Sequence, residues 1–185
     1  FLKPLRDAQL RLASGTIDVA SGATFRKTGG LTSTGTLEGS GTIDVGGGTL
    51  TSSGVIRPGD SSGTLTVIGS LALAPTSVME IQLQGAGPGQ YDALAVKGDA
   101  VLGGTLAAEL INGFVPTNGD RFRFMTFPAG SGFFDTPRLP TQFYVDQSAA
   151  TNLELVFDNV APTVTIDQAA GQPDPTNASP ILFTV

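Results

Sequence analysis

The hexapeptide Ser14-Gly15-Thr16-Ile17-Asp18-Val19 recurs letter for letter as Ser40-Gly41-Thr42-Ile43-Asp44-Val45. Around it, a Gly-Thr-aliphatic triplet opens at Gly15, Gly35, Gly41, Gly48, Gly63 and Gly104. Each triplet leads into a short run such as Thr64-Leu65-Thr66-Val67, in which aliphatic and polar side chains alternate. A period of two is the signature of a strand with one face buried. Strands this short cannot bury their own apolar side. They can do so by piling on one another at ~4.8 Å, which pairs the backbone and closes an aliphatic column. Glycine at the corners supplies the positive φ that a sharp turn requires. The repeats therefore predict a β-solenoid over residues 10–83, with coils of unequal length because the spacing is irregular. A β-sandwich, which also uses short strands and Gly-rich turns, is the alternative.

From Ser77 the predicted strands lengthen and grow richer in Leu, Val and Phe: Val78–Leu83, Ala93–Val96, Thr105–Ile111, Arg121–Thr126, Gln142–Asp146 and Asn152–Phe157. Turn clusters at residues 85–89 and 118–120 separate them. A solenoid needs a closing element, since an open last coil exposes core and strand edge together. Residues 77–157 are predicted to be that C-terminal cap, a small sandwich continuing the column. Most of the 11 Phe lie beyond residue 110, where a wider core must be filled. Asp158-Asn159-Val160-Ala161-Pro162 reads as a linker, followed by the alternating runs Thr163-Val164-Thr165-Ile166 and Ile181-Leu182-Phe183-Thr184-Val185. The predicted organisation is thus coils over 1–76, cap over 77–157, and linker with first strands of a further module over 158–185. The best helix candidate, Phe1 to Leu12, is uncapped and interrupted by Pro4.

Composition narrows the function. His and Cys are both absent, which removes the Ser-His-Asp triad, the commonest general base, thiolate nucleophiles and the usual nitrogen and sulfur metal ligands. The net charge is -6, and the 10 Lys and Arg are scattered. Nucleic acid and anionic membranes, which need clustered cations, are therefore not expected partners. No run approaches the ~18 apolar residues of a membrane span, so no membrane insertion by this segment is expected. The chain opens at Phe1 without a signal peptide, which reads as a piece of a longer polypeptide.

Four carboxylates are candidates for catalysis. Asp18 and Asp44 hold equivalent repeat positions, predicting a shared outward face, with Glu38 and Asp60 nearby. Sugar-cleaving chemistry needs such carboxylates to converge beside a cation. The competing reading is a solvated polar face, which the absence of interleaved aromatics and cations favours. Asp158 is the candidate metal ligand: calcium takes carboxylate and carbonyl oxygens and can lock two β-modules together, with Asp146 and Asp167 as further donors. The competing reading is a turn-shaping Asp beside Asn159. The glycines at 46–48 and 85–89 are followed by neither Lys-Ser/Thr nor a helix, so they are not phosphate loops. Asn177-Ala178-Ser179 fits a glycosylation sequon but precedes Pro180. Threonine pairs at 32/34, 49/51 and 64/66 are too unevenly spaced for an ice-binding face.

The run from Gly54 to Phe134 resembles the repeat-associated passenger segment of autotransporter-type bacterial surface proteins. Its elements are Gly54-Val55-Ile56-Arg57-Pro58-Gly59, Gly63-Thr64-Leu65-Thr66-Val67, Tyr91-Asp92-Ala93-Leu94-Ala95-Val96-Lys97-Gly98, Gly103-Gly104-Thr105-Leu106 and Gly119-Asp120-Arg121-Phe122. The resemblance implies an all-β, right-handed parallel β-helix with a β-sandwich-like cap on an extracellular surface; the barrel of an autotransporter has no counterpart in this sequence. Ala161 to Val185 resembles the start of a bacterial Ig-like repeat, which implies a stalk and, for Asp158, a calcium position before the Ala-Pro of the linker. The expectation is a non-catalytic module of an adhesin-like protein, a stalk or spacer whose partners are neighbouring domains and copies of itself. Two alternatives stand beside it. One is a fibre or sheath subunit assembling by donation of Ile181, Leu182, Phe183 and Val185. The other is a glycan-binding or glycan-degrading β-helix.

Overall fold

A computed structural model describes residues 11–160, other than 13 and 60. These residues form strands and no helix. In chain order the strands are β1 (Arg11–Leu12), β2 (Thr16–Val19), β3 (Thr24–Arg26), β4 (Leu31–Ser33), β5 (Thr36–Gly39), β6 (Thr42–Ser52), β7 (Val55–Pro58) and β8 (Thr64–Leu73). They continue with β9 (Val78–Leu83), β10 (Ala93–Val96), β11 (Ala100–Leu102), β12 (Thr105–Leu110), β13 (Arg121–Thr126), β14 (Gly130–Gly132), β15 (Thr136–Arg138), β16 (Phe143–Asp146) and β17 (Asn152–Phe157). Arg11 and Leu12, the end of the helix candidate, are strand; the rest of that candidate lies outside the described residues.

The strands form two sheets. Six belong to one sheet, in the order β2-β5-β7-β9-β12-β15, and every ladder in it is parallel. The other sheet has 11 strands, with β4, β6, β8, β10 and β13 successive along its main path. Parallel neighbours need a crossover, and here the crossover from β5 to β7 runs through β6 of the other sheet. No hairpin ladder joins named strands within residues 11–83, so the antiparallel sandwich alternative for that stretch is not what forms.

Glycine precedes four of the six strands of this sheet, at 15, 35, 54 and 104, and Ser77 and Asp135 stand before β9 and β15. Thr36 N–H donates to Gly15 O, Val55 to Gly35 O and Val78 to Gly54 O. The same position continues as Thr105 N–H to Ser77 O and Thr136 N–H to Gly104 O. Residues after it alternate as the sequence predicts. Leu37, Ile56, Met79 and Leu106 are buried in register, and each such side chain contributes about 1.5–3 kcal/mol. In the facing sheet, Leu31, Leu50, Leu71 and Ala100 make one buried row, and Ile43, Val67 and Val96 another.

The sequence separation between ladder partners grows along the chain. Thr16 faces Thr36, Thr36 faces Val55, Val55 faces Val78, Val78 faces Thr105, and Thr105 faces Thr136. One step along this ladder is thus 20 and 19 residues at the start, and 27 and 31 at the end. Phe122, Phe124, Phe127 and Phe134 belong to the later end and are all buried. The uneven step corrects an expectation about the repeat. The two identical hexapeptides begin 26 residues apart, at 14 and 40, which is no multiple of the local step of about 20. Their strands, β2 and β6, therefore fall in different sheets.

The pairing mode does not change at Ser77, where the predicted strands begin to lengthen. The parallel ladders run across it, since β9 pairs with β7 and β12, and β10 pairs with β8 and β13. Strand composition does change there. Among the described residues, the antiparallel ladders lie at the end of the sheet, where β17 lies on β13 and β16 on β17. This β16–β17 hairpin covers the edge of β13 and leaves β16 outermost on the main path.

Candidate functional site

The outward face of the six-stranded sheet carries a row of charged residues. Asp18, Glu38, Arg57, Glu80, Ala107 and Arg138 occupy one register position on successive strands. Alternation puts Glu38, Arg57 and Glu80 outside, because Leu37, Ile56, Met79 and Ile81 beside them are buried. Arg57 bridges two of the carboxylates. Its Nη1 donates to Glu38 Oε2 at 2.9 Å and its Nε to Glu80 Oε2 at 2.7 Å. The hydrogen bonds that Arg57 donates, first to Glu80 and then to Glu38, raise the guanidinium above its ordinary range against the opposing effect of desolvation. Glu38 and Glu80 are thereby engaged as cation partners.

Asp44 stands apart from this row, on the other sheet. It is buried, and its Oδ2 lies 2.9 Å from Arg26 Nη2. Its Oδ1 accepts from Gly46 N–H at 2.8 Å, shaping the bend in the middle of β6. The expected convergence of Asp18 and Asp44 on one face does not occur. Asp60 lies outside the described residues.

The row does contain a feature that sequence reasoning missed. Ala107 takes the place of a charged residue, and above it opens a shallow groove of about 370 Å³ between Glu80, Gln82, Glu109 and Arg138. Glu109 pairs with Gln82, which is two residues beyond Glu80. Glu80 and Glu109 are therefore diagonal neighbours with Cα atoms about 8 Å apart. The signal was available only as an alanine interrupting an outward polar row, and the row itself is invisible until the register is known.

Asp158, the expected calcium ligand, sits at the exit from β17. Its Oδ1 accepts from Val160 N–H at 2.9 Å and its own N–H donates to Gln142 O. That is the turn-shaping role. Asp146 faces Glu154 at the far end of β16, four residues from Gln142, or about 13 Å along the strand. It pairs with Arg121 and accepts from Ser148 N–H at 2.9 Å. The Ser148 hydrogen bonds and Arg121 hold its carboxyl at about 2, below the usual 3.8. The structure therefore keeps Asp146 and Asp158 apart, and among the described residues no group of three or more His, Cys, Asp or Glu is arranged to hold a metal. Asp167, the remaining expected donor, and the sequon at Asn177 lie outside the described residues.

A second groove, of about 600 Å³, lies along β16 and is lined mainly by Phe134, Leu139, Pro140, Phe143, Tyr144 and Val145. The chain leaves the described region at its lip: Gln142 Nε2 donates to Asn159 Oδ1, and Asn159 N–H to Asn118 Oδ1. The expected assembly residues Ile181, Leu182, Phe183 and Val185 lie outside the described residues. Threonines align on the eleven-stranded sheet, Thr24 with Thr42 and Thr66 and Thr32 with Thr51, but Ala95 and Ala72 end these ranks. Comparison with protein-family models and with curated proteins returns no match for this chain.

Proposed function

We propose that this chain is a non-catalytic structural module. In this reading the two sheets are faces of a right-handed parallel β-helix, closed at one end by a sandwich-like cap built on the antiparallel hairpin. The observation that carries it is the unbroken parallel ladder from β2 to β15, in which each circuit donates its N–H groups to the preceding one. Parallel strands joined by a crossover are right-handed in about 98 % of cases. Such a ladder resists shear because neighbouring circuits are held by many hydrogen bonds loaded together.

The module then acts as a stiff spacer in an adhesin-like protein, with neighbouring domains and copies of itself as partners. The sequence resemblance supports a place at a bacterial cell surface or in the secreted medium. Calcium at the 158 linker belongs to the separate resemblance of Ala161 to Val185 to an Ig-like repeat. The test is single-molecule pulling of the full chain between two reference domains. One cooperative unfolding event above the force of the reference domains is expected. Gradual extension at low force would remove the spacer reading.

A glycan-binding reading draws on the groove over Ala107, where Glu109 and Arg138 border Glu80. Titration with acidic and neutral oligosaccharides, comparing the chain with E109Q, separates it from the spacer reading. Binding that E109Q abolishes would favour it.

A further inference from the structure

The segment between β12 and β13 carries two Asn-Gly pairs, Asn112-Gly113 and Asn118-Gly119, and all four residues are exposed. An asparagine followed by glycine can react with its own backbone. The next amide nitrogen attacks the side-chain Cγ, and glycine, with no Cβ, leaves that nitrogen unhindered and both signs of φ accessible. Reaction requires an amide nitrogen free of a hydrogen-bond acceptor. It also requires a side chain able to swing onto that nitrogen.

Asn118 meets neither condition. Gly119 N–H donates to Phe157 O at 2.9 Å, and Asn118 Oδ1 accepts from Asn159 N–H at 2.7 Å. Both reacting groups are thus tied to the end of β17. Asn112 differs. Gly113 N–H makes no hydrogen bond among the described residues. The Asn112 side chain is held by a single exposed hydrogen bond, from Nδ2 to Gln84 Oε1 at 2.9 Å. Phe114 N–H donates to Ile111 O at 3.0 Å, closing a turn whose central residues, Asn112 and Gly113, have φ of 54° and 72°. Positive φ at both positions defines type I′. A flip of the peptide plane between them gives type II′, which keeps φ positive at Asn112 and brings its ψ to about −120°. That ψ eclipses the Cα–Cβ bond with the following nitrogen, the arrangement in which a five-membered ring closes. The turn reaches the reactive shape without breaking the Ile111–Phe114 hydrogen bond.

We propose that Asn112 is a self-modification site, converted by deamidation to aspartate and isoaspartate. Gly113 N bonds to Asn112 Cγ and gives up its proton, the Cγ–Nδ2 bond breaks, and ammonia departs, leaving a cyclic imide. Water then opens the ring. Attack at Cγ restores the ordinary main chain with a carboxylate at 112. Attack at the main-chain carbonyl carbon routes the chain through Cγ and leaves isoaspartate, with one extra methylene in the turn. Water is the co-reactant, and nothing is oxidised or reduced. Either product adds one negative charge and puts an acceptor where Nδ2 donated to Gln84 Oε1. Gln84 in turn donates through Nε2 to Ser62 Oγ, so the change is felt along a chain of side-chain hydrogen bonds. This goes beyond the spacer reading and does not depend on it.

The test incubates the full folded chain in mildly alkaline buffer and maps its peptides over time for amide-to-acid conversion. Isoaspartyl methyltransferase labels the isoaspartate. Conversion at Asn112 is expected at least tenfold faster than at Asn118, with label incorporated at 112 and a rate that rises with pH, because the attacking nitrogen must lose its proton. Equal rates, or faster conversion at Asn118, would overturn the proposal. So would an unchanged Asn112 once a short Ile-Asn-Gly-Phe peptide in the same buffer has fully converted. Loss of the amide without any isoaspartyl label would exclude the cyclic intermediate. In urea the two sites are expected to converge, since unfolding frees Gly119 N–H and Asn118 Oδ1. A tenfold gap that persists in urea would show that the fold does not set the selectivity, and would count against the assignment. These rates are read without force, so their failure and the failure of the spacer reading are distinguishable.

Discussion

Gly54 sits against Gly35 so closely that a Cβ at 54 would lie 2.2 Å from the Gly35 carbonyl oxygen. That oxygen already accepts from Val55 N–H at 3.1 Å. The corner of one circuit rests on the corner of the next with no space for a side chain. The obstacle is backbone, which cannot rotate away. G54A is expected to destabilise the chain by about 2–3 kcal/mol, read as a lower midpoint in urea. G47A, where a Cβ meets nothing within 4 Å, suffers only its positive φ of 75° and is expected to cost about 1 kcal/mol.

Ser52 is fully buried, and its Oγ finds no hydrogen-bond partner among the described residues. It pairs with Ser33 on one side and Leu73 on the other, so the inward row changes from hydroxyl to aliphatic at this point. An unsatisfied buried hydroxyl carries a desolvation cost of about 1–3 kcal/mol. S52A removes that cost and little volume. An increase in stability of about 1 kcal/mol is expected in chemical denaturation. A decrease would show that the hydroxyl is satisfied after all.

Arg57 is the only cation in register with Asp18, Glu38 and Glu80 among the described residues of that row before Ala107. R57E would place like charges on adjacent strands. Each such pair costs about 0.2–1 kcal/mol, and the side chain of Arg57 is 41 % exposed, so screening is strong. A loss of about 1 kcal/mol is expected in low salt, shrinking by more than half in 1 M salt. Thermal melts of R57E and the parent at both ionic strengths decide the matter.

Asp146 contributes to acid sensitivity in a defined direction. Its folded-state pKa is lowered to about 2 from 3.8. Stability gained from the charged form is therefore full above about pH 4 and is lost as pH falls through 2. D146N is expected to melt at a lower temperature than the parent at pH 6, with the gap closing by pH 2. A gap that stays constant across that range would show that the ionised carboxylate is not what stabilises the hairpin.

Much of this was legible in the residues. The Gly-Thr-aliphatic triplets announce short parallel-capable strands with one buried side, and those at Gly15, Gly35 and Gly104 stand at strand starts of one sheet. The late cluster of Phe announces the aromatic part of the core, where Phe122, Phe124, Phe127 and Phe134 are buried. The face shared by particular residues was not legible. Asp18 and Asp44 have identical neighbours yet stand on different sheets, because register depends on the number of residues in each circuit, and loops set that number without an apolar pattern of their own. Pairing mode was hidden for the same reason: β9 looks like a cap strand by composition and is bound in the parallel ladder.

The alternation of side chains thus determined that this chain makes strands with an inside and an outside, since a two-residue period is a local property of extended backbone. Which strands became neighbours was decided only in three dimensions. The Glu38–Arg57–Glu80 bridge, the gap over Ala107 and the free edge of β16 all arise from contacts between residues about 20 or more positions apart, or from the lack of one. Nothing in the local sequence states such separations. They emerge when the two sheets pair their strands over a common core.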